Sequence, residues 1–433
     1  MAPQCSPAKA ALGLLRFLIR VPIFVSCVLL LSGPVPPASP QVLLKPAQAG
    51  EPVTLMPSDV AVLESTEARK DLPCTVTQRA PDLGFDLRFH TGYDVTLPMK
   101  ELASSGELLT IVFRVYPQSN PAHPTYFVQH VRVPPIQEDT KGTAALEGLL
   151  DLGEGKYHID WLMRDRSERA CSASWDVEAT LSPRDKPIAL FLNPNAVAET
   201  NIEPFVNDTF VRQSTEDGVN LKLLVNFAPQ SPDSPQLQRS DTDALVSILK
   251  AIERDPHVRS VSLVAFNIEE ARIIYRQQTG DKIDFPALGK ALQSMKLGTV
   301  NVARLGQRHS ETDFLQNLIV TELDKSSHPD GIIFAGPKAM LDADVPQEDL
   351  RRIGDINCLI FYMNYNLNPQ AVPWKDSISH AIRAFKGTEY TISRPRDLWF
   401  STTEMLARIV RSKREHILMT AGNGNQSHQS QER

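Results

Sequence analysis

Hydrophobic residues alternate with polar ones along the first half of the chain and recur at helical spacing along the second. Leu83, Phe85, Leu87 and Phe89 alternate, as do Tyr93, Val95 and Leu97, then Leu109, Ile111, Phe113 and Val115. Phe127, Gln129, Val131 and Val133 follow the pattern more loosely. Tyr157, Ile159, Trp161 and Met163 form the cleanest run, and Cys171, Ala173, Trp175 and Val177 the last. Turn formers separate the runs at Ser104–Gly106, Pro117–Pro124, Gly153–Gly155 and Asp165–Ser167. A period of two marks strands with one face buried. Short strands at this spacing predict an all-β sandwich of immunoglobulin-like size over residues 83–182.

The polar, proline-bounded stretch Ser182–Pro187 marks a boundary, after which strands and helices alternate. Ile188–Leu192, Asn220–Phe227, Val258–Phe266, Ala271–Tyr275, Gly331–Phe334 and Cys358–Tyr362 are apolar enough for strands. Helical spacing appears in a segment capped by Ser240-Asp241, and over Pro286–Met295, Asp313–Leu323, Ile378–Phe385 and Thr402–Val410. Short apolar strands between amphipathic helices predict a mostly parallel sheet covered on both faces, an α/β unit over 187–411. The tail 412–433, rich in Gly, Asn, Gln and Ser, is expected to be disordered.

Residues 1–82 read differently. Lys9, Arg16 and Arg20 precede the apolar run Val21–Leu31, a charged region followed by an apolar one of signal-peptide length. The run is short for a spanning helix, which needs roughly 20 apolar residues. A small-x-small site stands at Ala47-Gln48-Ala49. Residues 1–49 are therefore expected to direct export, with an uncleaved N-terminal anchor as the variant. Residues 50–82 read as a proline-rich spacer. In an oxidising compartment Cys74 and Cys171 either pair or remain two small hydrophobes, and sequence alone leaves both open. Cys358, in an apolar run, is expected to be a buried strand residue. The net charge of −6 and the lack of a basic stripe exclude a nucleic-acid partner from the reading.

The order of elements over 187–411 resembles the von Willebrand factor A family. Val261–Tyr275 is similar to that family's second strand, tight turn and antiparallel third strand. Gly387–Leu398 resembles the closing strand and turn before its last helix. The two-domain layout is similar to exported bacterial A-domain-related proteins. The resemblance implies a Rossmann-like unit with a metal-ion-dependent adhesion site at the carboxyl ends of the strands, built from Asp-x-Ser-x-Ser, a Thr and a later Asp. Here the first positions are Asn226, Ala228 and Gln230, and the fourth strand runs Phe334-Ala335-Gly336. Only Thr312 matches, and it also suits the cap of a helix beginning near Asp313. A divalent cation needs several good oxygen ligands, so the site is expected to hold no metal.

No other chemistry is fixed by the residues. There is no phosphate-cradling glycine loop, no nucleophile elbow and no Cys/His zinc spacing. His309 borders the ligand end of the sheet. Glu269-Glu270 reads as turn charge and Asn207-Asp208-Thr209 as a glycosylation sequon. The chain is expected to be an exported protein-binding or adhesion module without a cofactor, and not an enzyme. A structural envelope scaffold is the alternative and a hydrolase stands third. Its partner is an unidentified extracytoplasmic protein, and it meets a membrane only through an uncleaved N-terminal segment. Ligands of open α/β sheets bind beyond the carboxyl ends of the strands, so the binding rim is expected to include Asn226, Ala228, Gln230, Thr312, Ala335 and Asn364; Asn364, Tyr365 and Asn366 read either as anchors or as ordinary loop residues.

Overall fold

The structure is a computed structural model. It describes residues 42–44, 55–65, 67–104, 108–137, 139–201, 203–207, 218–231, 234, 236–295, 309–323, 329–354, 356–367 and 375–429, with Ser104 and 419–429 described by backbone alone. Of the leader expected over 1–49, residues 1–41 and the cleavage site at 47–49 lie outside the described residues, as does the end of the tail, 430–433. Val42 and Leu43, within that span, form a strand paired with Val128 and Phe127 of the sandwich and so are corrected from leader to fold.

The described chain is mostly β, with three sheets and eight helices. It runs β1 (Val42–Leu43), α1 (Pro57–Leu63), β2 (Thr75–Leu83), β3 (Phe89–Pro98), α2 (Met99–Ser104), β4 (Leu108–Pro117), β5 (Thr125–Arg132), β6 (Thr143–Leu152), β7 (Gly155–Arg164), β8 (Ala170–Ala179) and β9 (Val197–Glu199). There follow β10 (Val219–Asn226), α3 (Arg239–Arg254), β11 (Val258–Asn267), β12 (Arg272–Gly280), α4 (Phe285–Leu292), α5 (Ser310–Glu322), β13 (Gly331–Gly336), α6 (Gln347–Arg352), β14 (Leu359–Tyr365), α7 (Ser377–Arg383), β15 (Thr388–Ile392) and α8 (Pro395–Gln429).

Two antiparallel sheets, β1-β5-β4-β7-β8 and β2-β3-β6-β9, face each other across one apolar core. The alternating residues supply it. Tyr93 meets Trp161 and Phe113 edge-on, and Phe113 stacks on Phe127 at 4.8 Å. Contacts of this kind add about 0.5–1.5 kcal/mol each beyond area burial. Cys74 and Cys171 form a disulfide that ties the start of β2 to β8, and so joins the two sheets across a separation of 97 residues. Gly92 lets β3 and β6 close: a Cβ there would lie 1.9 Å from the Gly148 carbonyl oxygen.

The third sheet has the order β12-β11-β10-β13-β14-β15, parallel throughout except for the edge strand β12. Its strands are apolar on both faces because helices cover both. Leu245 and Leu249 of α3, Leu288 of α4 and Met405 of α8 pack on one face. Leu315 of α5, Leu350 of α6 and Ile378 of α7 pack on the other.

Several boundaries differ from the sequence reading. Leu83–Phe89 is not one strand: β2 ends at Leu83, and a turn with Leu87 at φ 61° carries the chain into β3. The spacer expected over 50–82 is in part structural, because α1 packs on Val112 and Leu162 and most of β2 lies within that range. Ile188–Leu192 is not a strand of the parallel sheet; Ile188 enters the sandwich core, and β9 completes the smaller sandwich sheet beyond the expected boundary. β6 escaped the pattern because Ala145 and Leu149 put apolar residues on its outer face and Gly148 leaves a gap in the inward row Ala144, Leu146, Leu150 and Leu152. Helix α8 continues through the tail expected to be disordered, as far as Gln429. Cys358 is half-buried and unpaired, just before β14.

The two units share side chains. Phe85, from the turn before β3, packs on the α/β core, and Trp399 of α8 packs on the sandwich core. Phe191 carries the Arg88 guanidinium at 4.4 Å and the Arg254 guanidinium at 4.0 Å. Arg396 pairs with Asp185 at 3.5 Å.

Candidate functional site

Strands β10, β13 and β14 end side by side, with Val225 opposite Ala335 and Gly336 opposite Asn364. Gly336 has φ +152°, and a Cβ on it would stand 2.7 Å from Asn226 Cβ, so the end of β10 lies tight against it. Asn226, Ala228, Gln230, Thr312, Ala335 and Asn364 do gather at this end of the sheet. None of them is at the surface: their exposures run from 0% to 6%. The expectation that these six make the contact is therefore corrected, because side chains this deep build the rim and do not present it.

Most of their polar atoms are committed inward, while Asn226 Nδ2 and Asn364 Oδ1 are buried without a hydrogen-bond partner. The Ile268 N–H donates to Asn226 Oδ1 at 3.1 Å, and the Leu367 N–H to Gln230 Oε1 at 2.8 Å. Asn364 Nδ2 donates to Glu389 Oε1 at 2.8 Å. Thr312 does not cap its helix. It lies in the first turn of α5, which begins at Ser310, and donates its hydroxyl proton to the Ala343 carbonyl at 2.8 Å. Likewise α3 begins after Gln238, whose backbone N–H donates to Asp241, the third helical residue. Tyr365, one of the candidate anchors, is 1% exposed and donates to Ala228 O and Asp241 Oδ1, both at 3.2 Å. Burial raises the pKa of Asp241, and burial beside Asp241 raises that of Tyr365. The solvent face of this end is formed by Met340, 52% exposed, with Asp342, Glu269 and His309 also exposed.

A second constellation lies between the units, and the sequence reading passed it over. Asp86 and His90 flank the turn before β3, and Asp151 lies opposite His90 on β6. His90 Nδ1 is 2.8 Å from Asp151 Oδ1, and Nε2 is 3.0 Å from Asp86 Oδ1. Arg88 Nη1 donates to Asp151 Oδ2 at 3.0 Å, and Thr200 Oγ1 to Asp151 Oδ1 at 2.6 Å. Asp151 is wholly buried. Burial alone lowers the His90 pKa, but its bonds to Asp151 and Asp86 outweigh that and raise it to about 10. The ring is thus an imidazolium that donates from both nitrogens.

Ligand atoms of Asp86, His90 and Asp151 lie within 4.8 Å of one another, as a metal site requires. The donor set fits a cation poorly. The two ring nitrogens point to different carboxylates, so one ion takes only one of them, and it must displace a tightly held proton. The Arg88 guanidinium already neutralises Asp151. The arrangement is a closed group of two carboxylates and two cations. A spacing of Asp-x-x-x-His at a turn was its only local signal; Asp151 joins through strand pairing alone.

No family model matches the chain, and no curated protein matches it. Among solved structures, the PilB minor pilin from Streptococcus sanguinis is 10% identical, covering 69% of this chain and 87% of that one, with a TM-score of 0.26. A point mutant of that pilin gives the same values. A beta-glucuronidase from Bacteroides uniformis is 9% identical over 79% of this chain and 32% of that one, with a TM-score of 0.16. Among the described residues, no helix is long and apolar enough to cross a membrane.

Proposed function

We propose that this chain is an exported protein-binding module, in which an immunoglobulin-like sandwich supports a von Willebrand factor A-like unit that binds without a metal. The observation that carries this reading is the sheet order β12-β11-β10-β13-β14-β15, with its one antiparallel strand at the edge. It is the order the resemblance implies, and in such sheets the ligand end is the carboxyl end of the strands. The disulfide between Cys74 and Cys171 supports an oxidising compartment.

The metal-free part rests on the committed oxygens. Asn226 Oδ1 and Gln230 Oε1 accept backbone N–H groups, and Thr312 is turned to a carbonyl. Neutral amides already bonded to protein do little to offset the dehydration of a hard divalent cation. Contact falls to the exposed loop after β13, where Met340 offers an apolar anchor beside Asp342. The test is a calorimetric titration of the full chain with Mg²⁺, Ca²⁺ and Mn²⁺, followed by capture of partners from envelope extract with Met340→Asp and, as control, Glu178→Lys on β8. We expect no saturable metal binding and a band lost only with Met340→Asp. Micromolar metal binding abolished by Thr312→Ala, or a band lost only with the β8 variant, would overturn the reading.

A further inference from the structure

The smaller sandwich sheet has an open edge, and it belongs to a different sheet from the rim. β6 has 10 residues, but its outer neighbour β9 has 3 and pairs only with Leu150–Leu152. The first part of β6, Thr143–Gly148, pairs with β3 on one side. Among the described residues, no backbone group bonds to its other side. A bare row of N–H and C=O groups is a template for another strand. We propose that this edge pairs with the same edge of a second copy of the chain, the two β6 strands running antiparallel about a twofold axis at Ala145.

The edge lacks the devices that keep strands apart. Natural edges are guarded by lysine, proline or a bulge. Thr143–Gly148 contains no lysine or proline, and its register with β3 runs without a shift. Its core-facing row is also unfinished: Ala144 and Leu146 pack against the sandwich core but are only half-buried. A twofold axis normal to the sheet keeps the core faces of both copies on the same side. Centred on Ala145, it sets each Leu146 opposite the second copy's Ala144, so that large meets small and both residues gain cover.

Charge selects both the occupant and the register. On the solvent face Ala145 meets itself, and Glu147 lies opposite the second copy's Thr143, with that copy's Lys141 next along the row. Diagonal neighbours stand about 7–8 Å apart, within reach of long side chains. Glu147 is exposed and holds Arg79 at 2.6 Å. Lys141 is exposed and has no ion-pair partner among the described residues. The chain is still alongside β3 at this point, because the Met99 N–H donates to the Gly142 carbonyl at 3.0 Å. Twofold symmetry makes each Glu147–Lys141 contact twice. Moving the axis to Leu146 would set the two Glu147 carboxylates diagonally against each other, where like charges repel.

Sedimentation equilibrium of the full chain tests this. One short strand pair makes a small, weak interface, so we expect monomer at about 1 µM and dimer at about 200 µM. Lys141→Glu should weaken the dimer about tenfold without moving the urea midpoint, and Lys141→Glu combined with Glu147→Lys should restore it. In a Cys358→Ser background with oxidised glutathione as the oxidant, Ala145→Cys should give a covalent dimer. Opposed antiparallel residues have Cα atoms about 4.5–5.5 Å apart, within disulfide reach. A monomer at every concentration would leave the edge to a strand of another protein and overturn the proposal. So would a Lys141→Glu dimer as tight as the natural one, or no covalent dimer from Ala145→Cys.

Discussion

Raising the pH should loosen the attachment of the 84–90 turn to β6. His90 is held between Asp151 and Asp86, and these bonds outweigh burial to carry its pKa from 6.5 up to about 10. A histidine with a raised folded pKa binds its proton more tightly in the folded chain. Its contribution to stability is complete below the unfolded value and is lost as the pH climbs through the folded one. At about 1.4 kcal/mol per unit, the ceiling is roughly 4–5 kcal/mol. The side chain is 31% exposed, and solvent screening reduces the expected loss to about 2 kcal/mol. The assay is urea unfolding of the full chain and of His90→Gln at about pH 7 and about pH 10.5. Lysines and tyrosines titrate in both proteins, so the difference between them isolates His90. The natural chain should lose about 2 kcal/mol more than the variant. Equal losses would refute the reasoning.

Two further outcomes are expected from the scaffold. Cys74→Ser with Cys171→Ser should lower stability by roughly 4–5 kcal/mol, the chain-entropy value for a loop of about this length, read as a drop in the urea midpoint. In the native oxidised protein a thiol label should spare Cys74 and Cys171, and should react only slowly with Cys358, whose thiol pKa is pushed up to about 11 by burial. Trp399→Ala should cost about 2–3 kcal/mol, below the range for a fully buried ring, and should change the near-ultraviolet circular dichroism of the sandwich aromatics.

Much of the fold was legible because burial imposes a period. Tyr157–Met163 and Leu109–Val115 alternate since one face of each meets the core, and β4 and β7 pair where these runs predict strands. Leu245, Ile248, Leu249 and Ile252 keep helical spacing since α3 packs on one face of the sheet. The pattern misled at Leu83–Phe89, where Phe85 and Leu87 look like strand residues but Phe85 points into the other unit. The site was legible only in outline. Sequence brought Asn226, Thr312 and Asn364 to one end of the sheet, but their depth depends on which helices close over them. Asp151 and His90 stand 61 residues apart and meet through the pairing of β3 with β6, which no local spacing encodes.

The exchange of Phe85 and Trp399 sets a timetable for the chain. A ribosome finishes β8 more than 200 residues before it adds Trp399, so the sandwich emerges with the part of its core that Trp399 later packs against still uncovered. Phe85, made early, likewise waits for the third sheet before it is covered. Neither unit reaches its final packing until the last helix is in place. A chain cut before residue 395 therefore uncovers one edge of the sandwich core as well as removing α8. Fragments ending at the apparent boundary at 182–187 inherit the same defect and also lose Ile188 and β9, so a well-behaved first half runs past residue 199 and covers the patch the indole protects.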